Sequence, residues 1–306
     1  MKPRHESAKQ GNPIAAKLLR KLKAAKRATP SILAAIAGAD DLQTQVAAAD
    51  ELVGLEPAHA SYVYAHNLVS VISEEITAMN EMAPFVEIIA KAEDLYLPSG
   101  PPISPLTTSY FTSWAFFDAC AGVANETIGT IVLEIGNAFG MQPELLRIIQ
   151  SMQDSRMGLY IQRGIEGSCV VLEDLVTKKV YRAISPAGYL GQRSQLWYVR
   201  ILPPPFSGDS DHVVFTMPYI AIRPDPYDWL VYFNRTFAHK STARIEDYEQ
   251  HMKYGPTREY WNDFVFEAYV NHRMDVIYLA GLPDVPESRP NSKVNGRGFG
   301  SPSQTH

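Results

Sequence analysis

The spacing of apolar residues changes twice along the chain. Between residues 31 and 157 apolar residues recur every three to four positions, which is typical of amphipathic helices. From residue 158 the period shortens to two, and turn-forming pairs such as Glu166-Gly167 separate short runs of β-forming residues. Helical spacing returns after Pro226. The pattern predicts an α+β fold: a mostly helical body with a small antiparallel β unit between two helical blocks.

The β unit should hold five short strands, arranged as a sheet or a partly open barrel. The strands are predicted at 158–163, 168–173, 178–184, 195–202 and 212–217. In the fourth strand Trp197 alternates with Tyr198 and Arg200, so we expect Trp197 to be buried. The helices that follow are predicted at 226–238, 242–253 and 257–280.

Five segments follow from these patterns. They are a basic arm with an amphipathic helix at 1–30, an acidic helical block at 31–157, the β unit at 158–223, a C-terminal helical block at 224–283 and a tail at 284–306. The tail is rich in Pro, Gly, Ser and Asn and has almost no apolar residues, which predicts disorder.

Charge is distributed unevenly between these segments. The whole chain carries a formal net charge of −5, yet residues 1–30 carry nine Lys/Arg and one Glu, whereas residues 31–157 carry three Lys/Arg and sixteen Asp/Glu. On the helix that Asn12 and Pro13 begin, the apolar residues share one side and the cations take the other. These cations are Lys17, Arg20, Lys21, Lys23, Lys26 and Arg27.

The basic helix should therefore bind an acidic surface. We expect a partner protein or self-association, with the acidic helical block as the nearest candidate within the chain. The alternatives are binding to a nucleic acid, and binding to an anionic membrane or a role as an organelle-targeting segment.

Composition favours a cytoplasmic globular protein. Hydrophobic residues make up 46% of the chain, which is enough for a sizeable core. Cys120 and Cys169 lie far apart without a metal-ligand spacing, so neither a disulfide framework nor a structural zinc site is expected. No run of about 20 apolar residues predicts a membrane span, and no apolar segment of a secretory signal follows the basic start.

Two further sets of residues are candidate sites. The first is a basic and aromatic surface on the β unit, formed by Arg182, Arg193, Tyr198 and Arg200, which would suit a single-stranded nucleic acid; packing of the aromatic residues into the core is the alternative. The second is a set of metal ligands on the last predicted helix, where Asp263, Glu267 and Asn271 share a face and His272 lies beside it. A solvated helix face is the alternative for this second set.

The sequence contains no fingerprint of a common cofactor enzyme. Walker A, Rossmann, G-x-S-x-G and H-E-x-x-H patterns are absent, so no cofactor is predicted and no catalytic residue is identified. We therefore expect a non-enzymatic cytoplasmic binding or regulatory protein that acts through protein–protein contacts with a basic N-terminal tether. The alternatives are a hydrolase with a dispersed Asp/Glu/His site, with or without a metal, and a nucleic-acid-binding accessory protein.

Overall fold

The computed structural model describes residues 13–24, 42–96, 105–206, 208, 210–237, 245–255, 269–272 and 275–280. These residues form an α+β fold, as the sequence predicts. The helices before the sheet are α1 (Ile14–Ala24), α2 (Leu42–Ala48), α3 (Pro57–Thr77), α4 (Ala83–Tyr96), α5 (Pro105–Phe117), α6 (Ile128–Phe139) and α7 (Pro143–Asp154). Helices α8 (Pro226–Phe237) and α9 (Ile245–Tyr254) follow its sixth strand.

The first core lies among the helices of the N-terminal half. Buried residues of α1, α3, α6 and α7 form one continuous apolar cluster with Leu202 and Val213 of the sheet. Local signals set the helix ends: Thr127 and Thr130 form a capping box at the start of α6, and Gly140 ends that helix with a left-handed backbone at φ 82°. This core fixes the position of α7, whose last residues contribute to the site described below.

The β unit is a closed five-stranded barrel. Strands β1 (Met157–Glu166), β2 (Cys169–Asp174) and β3 (Val180–Ile184) form an antiparallel meander, and β3 pairs in parallel with β5 (His212–Val214). Strand β4 (Leu196–Leu202) pairs antiparallel with both β5 and β1, which closes the barrel. The five predicted strands are therefore confirmed, with ends that differ by no more than three residues.

Three further strands extend the sheet beyond the barrel. Strand β6 (Tyr219–Arg223) pairs with β4, β8 (Ile277–Ala280) pairs in parallel with β6, and β7 (Tyr269–His272) pairs antiparallel with β8. The helix predicted at 257–280 is thus wrong over 269–272 and 277–280. Residues Val276 to Leu279 are rich in β-forming side chains, and pairing with β6 decides their conformation.

Strand β4 is buried on both faces. Trp197, Val199 and Ile201 point into the barrel, and Trp197 is fully buried, as expected. Leu196 and Tyr198 pack instead against the apolar residues of α5, α8 and α9. The barrel is therefore covered by helices from both halves of the chain, and its helix-facing side is a second core.

Candidate functional site

Three buried charged side chains meet where the two helical blocks contact the barrel. Asp118 directly follows α5, Arg200 lies in β4, and Lys253 lies in the last turn of α9. Arg200 donates from Nη2 to Asp118 Oδ2, and Lys253 Nζ lies 3.1 Å from Asp118 Oδ1. Each of the three residues is at most 8% exposed. One carboxylate therefore holds two cations, and we call this trio the buried charge cluster.

Carbonyl groups at the C-terminal end of α7 compensate the second cation. Lys253 Nζ donates to the carbonyl oxygens of Gln153 and Ser155, the latter at 2.8 Å, and Arg200 Nη1 donates to Ser155 Oγ at 3.0 Å. The end of a helix carries partial negative charge, so it stabilises cations. Burial lowers the pKa of Lys253, and Asp118 opposes that shift. All three donors of the ammonium group have acceptors, which indicates a structural role rather than a nucleophilic one.

A cavity of about 400 Å³ lies beside the buried charge cluster. Its walls come from the end of α7, from strands of the barrel and from α9. This volume is within the range of small-molecule sites and is large enough for one long side chain of a partner protein. Five of its lining residues are charged: Asp154, Arg156, Glu246, Glu249 and Lys253. We call it the acidic pocket.

Both cations of the acidic pocket have buried acceptors behind them. Lys253 shares Asp118 with Arg200 and also donates to two carbonyl oxygens. Arg156 Nη2 lies 3.0 Å from Asp174 Oδ2, and its guanidinium group is 4.9 Å from the ring centroid of Tyr248. Asp174 is fully buried and also accepts the backbone N–H groups of Val176 and Thr177. These partners fix Arg156 in place, so its charge is compensated inside the protein.

The carboxylates of the pocket lie on its solvent side. Asp154 and Glu246 are exposed, and the Glu249 side chain is 41% exposed. Asp154 Oδ1 accepts a hydrogen bond of 2.8 Å from Gln150. Glu249 Oε1 is 3.8 Å from Arg156 Nη2, which is too long for a hydrogen bond. Three carboxylates therefore line a pocket whose two cations are compensated, and the lining as a whole is acidic.

Tyrosine rings form the apolar part of the same pocket. Tyr160 and Tyr181 pack edge to face, with ring centroids 5.8 Å apart, and Tyr254 completes the set. Burial raises the pKa of both Tyr160 and Tyr181, so their hydroxyl groups are neutral at pH 7. Aromatic rings beside carboxylates attract cations, because the ring face and the carboxylate oxygens are both negative.

Only two of the four residues predicted to form a basic surface on the β unit are exposed. Arg182 and Arg193 are exposed, and Arg182 Nη1 lies 3.0 Å from Asp211 Oδ1. Tyr198 and Arg200 are each 1% exposed, so the prediction is wrong for both. The Tyr198 hydroxyl pairs with that of Tyr110 at 3.2 Å. Helices cover the face of β4 that the alternation pattern had left open to solvent.

Only the C-terminal end of the predicted metal site lies within the described residues. Asp263 and Glu267 lie outside the described residues. His272 lies on strand β7, so the predicted helix does not extend to this residue. Within the part of the chain that the structure describes, no group of three His, Cys, Asp or Glu residues could hold a metal ion.

Helix α1 is the part of the predicted basic arm that forms a helix in the described residues. Lys17, Arg20, Lys21 and Lys23 lie on this helix, whereas Lys26 and Arg27 lie outside the described residues. Lys21 Nζ pairs with Glu81 Oε1 at 2.7 Å. The apolar side of α1 belongs to the first core.

Sequence reasoning missed the acidic pocket, because its residues come from five separate helices and strands. Asp154 ends α7, Arg156 precedes β1, and Glu249 lies on α9 almost a hundred residues later. No short motif joins such residues. Asp118 in the apolar run FFDACAG was the one visible signal, since a carboxylate in such a run needs a buried cation.

No helix in the described part of the chain is long and apolar enough to cross a bilayer. Searches against protein-family models, curated proteins and solved structures give no match to this chain.

Proposed function

We propose that this chain is a non-catalytic binding protein that recognises a cationic group, the lysine or arginine side chain of a partner protein, in the acidic pocket. The supporting observation is the distribution of charge. Arg156 pairs with Asp174, and Lys253 shares Asp118 with Arg200 and donates to carbonyl oxygens at the end of α7. Both anions lie behind the pocket wall, while Asp154 and Glu249 line its open side. A ligand that enters meets carboxylates first.

The shape of the pocket also favours such a side chain. An alkyl chain of lysine or arginine would lie along Tyr160 and Tyr181, and its charged end would reach Asp154 or Glu249. Charge-assisted hydrogen bonds to these carboxylates would supply the specificity. Lys253 has no role as a nucleophile in this proposal, since its ammonium group is fully hydrogen-bonded.

The test is ligand-induced stabilisation, because a ligand that binds only the folded state raises the melting temperature. N-acetyl-lysine amide and N-acetyl-arginine amide should raise it at millimolar concentration. The uncharged analogues N-acetyl-norleucine amide and N-acetyl-citrulline amide should not. Glu249→Gln should weaken binding of the cationic ligands about tenfold, which corresponds to about 1.4 kcal/mol.

Glu87→Gln is the matched control for this substitution. Glu87 is an exposed carboxylate on α4 that pairs with Lys91 at 2.7 Å, and it lies outside the pocket lining. It should leave ligand affinity unchanged. Stabilisation by inorganic phosphate that is lost in Arg156→Gln would show an anion site instead and would overturn the proposal, as would equal binding of charged and uncharged ligands.

A further inference from the structure

The apolar face of α1 is already used inside the protein. Ile14, Ala15, Leu18 and Leu22 are each at most 8% exposed and belong to the first core. An amphipathic helix that binds a membrane inserts its apolar face into the bilayer. Helix α1 would have to leave the core to do so. Only the polar face of α1 is therefore available to a partner of the folded protein.

The N-terminal end of α1 is also occupied. The Glu126 carboxylate accepts the backbone N–H of Ile14 at 2.6 Å and that of Ala15 at 2.9 Å. Glu126 is 7% exposed and thus caps the helix from within the core. An external anion cannot use these donors. The described helix is fixed at its start, and any anionic partner must bind along its side.

Three cations line that side. Arg20 and Lys23 are exposed and Lys17 is half-buried, and within the described residues none of the three has a carboxylate oxygen within 4.0 Å. On a helix they span about 9 Å along the axis and about a third of the circumference. We call them the α1 cationic face. Lys21 lies beside them, and its charge is compensated by Glu81.

We propose that the α1 cationic face binds the phosphate backbone of a nucleic acid. The phosphates of a duplex present about one negative charge per 1.7 Å of axis, so a 9 Å row of cations meets several of them at once. The chain as a whole has a formal net charge of −5 and would repel a duplex, so binding requires a local group of cations. A membrane is disfavoured, since the apolar face is buried. This inference is independent of the acidic pocket.

The experiment measures binding of the full-length protein to a fluorescent 20-base-pair duplex by anisotropy between 50 and 200 mM salt. Three phosphate contacts should give a slope of about −2.7 in log affinity against log salt, or a loss of about 40-fold across that range. The variant Lys17→Gln/Arg20→Gln/Lys23→Gln should abolish detectable binding. Its unfolding free energy should change by less than about 0.5 kcal/mol, because none of the three side chains forms a salt bridge within the described residues.

A triple variant with the same change of charge is the control. Lys178→Gln/Lys179→Gln/Arg223→Gln removes three exposed cations, two just before β3 and one at the end of β6, and should leave the salt slope unchanged. Loss of binding in this control, or no binding of the native protein at 50 mM salt, overturns the proposal. The proposal is also overturned if the native protein does not bind the duplex but binds phosphatidylserine vesicles, and if the α1 triple variant loses that vesicle binding. Glu249→Gln should have no effect on the duplex, which separates this outcome from that of the acidic pocket.

Discussion

The buried charge cluster and the α1 cationic face contain the same kinds of residue in opposite settings. In the cluster, Arg200 and Lys253 are nearly inaccessible and each has a carboxylate and a carbonyl or hydroxyl acceptor. On α1, Arg20 and Lys23 are exposed and have no carboxylate partner among the described residues. Burying a charge is costly unless it is paired and hydrogen-bonded, whereas an exposed charge interacts weakly with its neighbours. The cluster should therefore determine stability, and the α1 face should determine binding.

The largest effect is expected from removing the shared anion of the cluster. Asp118→Asn leaves Arg200 and Lys253 without their carboxylate, and breaking a buried ion pair in this way costs about 3–5 kcal/mol. Chemical denaturation should show a loss of unfolding free energy of that size. Glu87→Gln, which removes an exposed carboxylate, should cost under about 0.5 kcal/mol. Similar losses in the two variants would contradict the contrast drawn above.

The pH dependence of stability at His66 tests whether burial controls the energetics of charged groups in this protein. Its ring packs against Phe116, Phe117 and Phe215, and Nε2 is buried without a hydrogen-bond partner among the described residues. Burial, and then the nearby charge of Arg200, lower its pKa from 6.5 to about 4. The unfolded state therefore binds this proton more readily, so stability is full above pH 6.5 and falls as pH decreases toward 4.

The loss from this one group amounts to about 3 kcal/mol across that range. Denaturation of the native protein and of His66→Phe at several pH values gives the difference. His66→Phe should show a flatter dependence between pH 6.5 and 4, because the buried proton-binding group is gone. An unchanged pH dependence would mean that the ring is accessible to water, and that the charge cluster does not influence it.

The smallest effect is expected from an exposed ion pair. Arg163 donates to Glu173 through two nitrogens, each at 2.9 Å, yet the Arg163 side chain is 42% exposed. A double-mutant cycle with Arg163→Ala and Glu173→Ala should give a coupling energy under about 1 kcal/mol. A coupling as large as that of the buried cluster would show that geometry, rather than burial, sets the strength of these pairs.

The sequence predicted most of the elements but few of the sites. Alternation placed β1 to β5 and the burial of Trp197, because these signals are local. The last predicted helix failed because its residues pair with β6, which is about fifty residues earlier in the chain. Arg200 was placed on the surface because alternation gives the face of a strand and not what covers that face. The acidic pocket depends on contacts between distant elements, and no local pattern encodes them.

The parallel pairing of β6 with β8 has a consequence for synthesis of the protein. The barrel is complete in the chain by Val214, and β6 by Arg223, but the neighbour of β6 does not exist until Ala280 has been made. When the barrel folds before synthesis is complete, β6 has an unpaired edge for more than fifty residues of elongation. Such an edge pairs readily with other chains. Residues 224–276 thus separate β6 from the strand that covers its open edge in the folded protein.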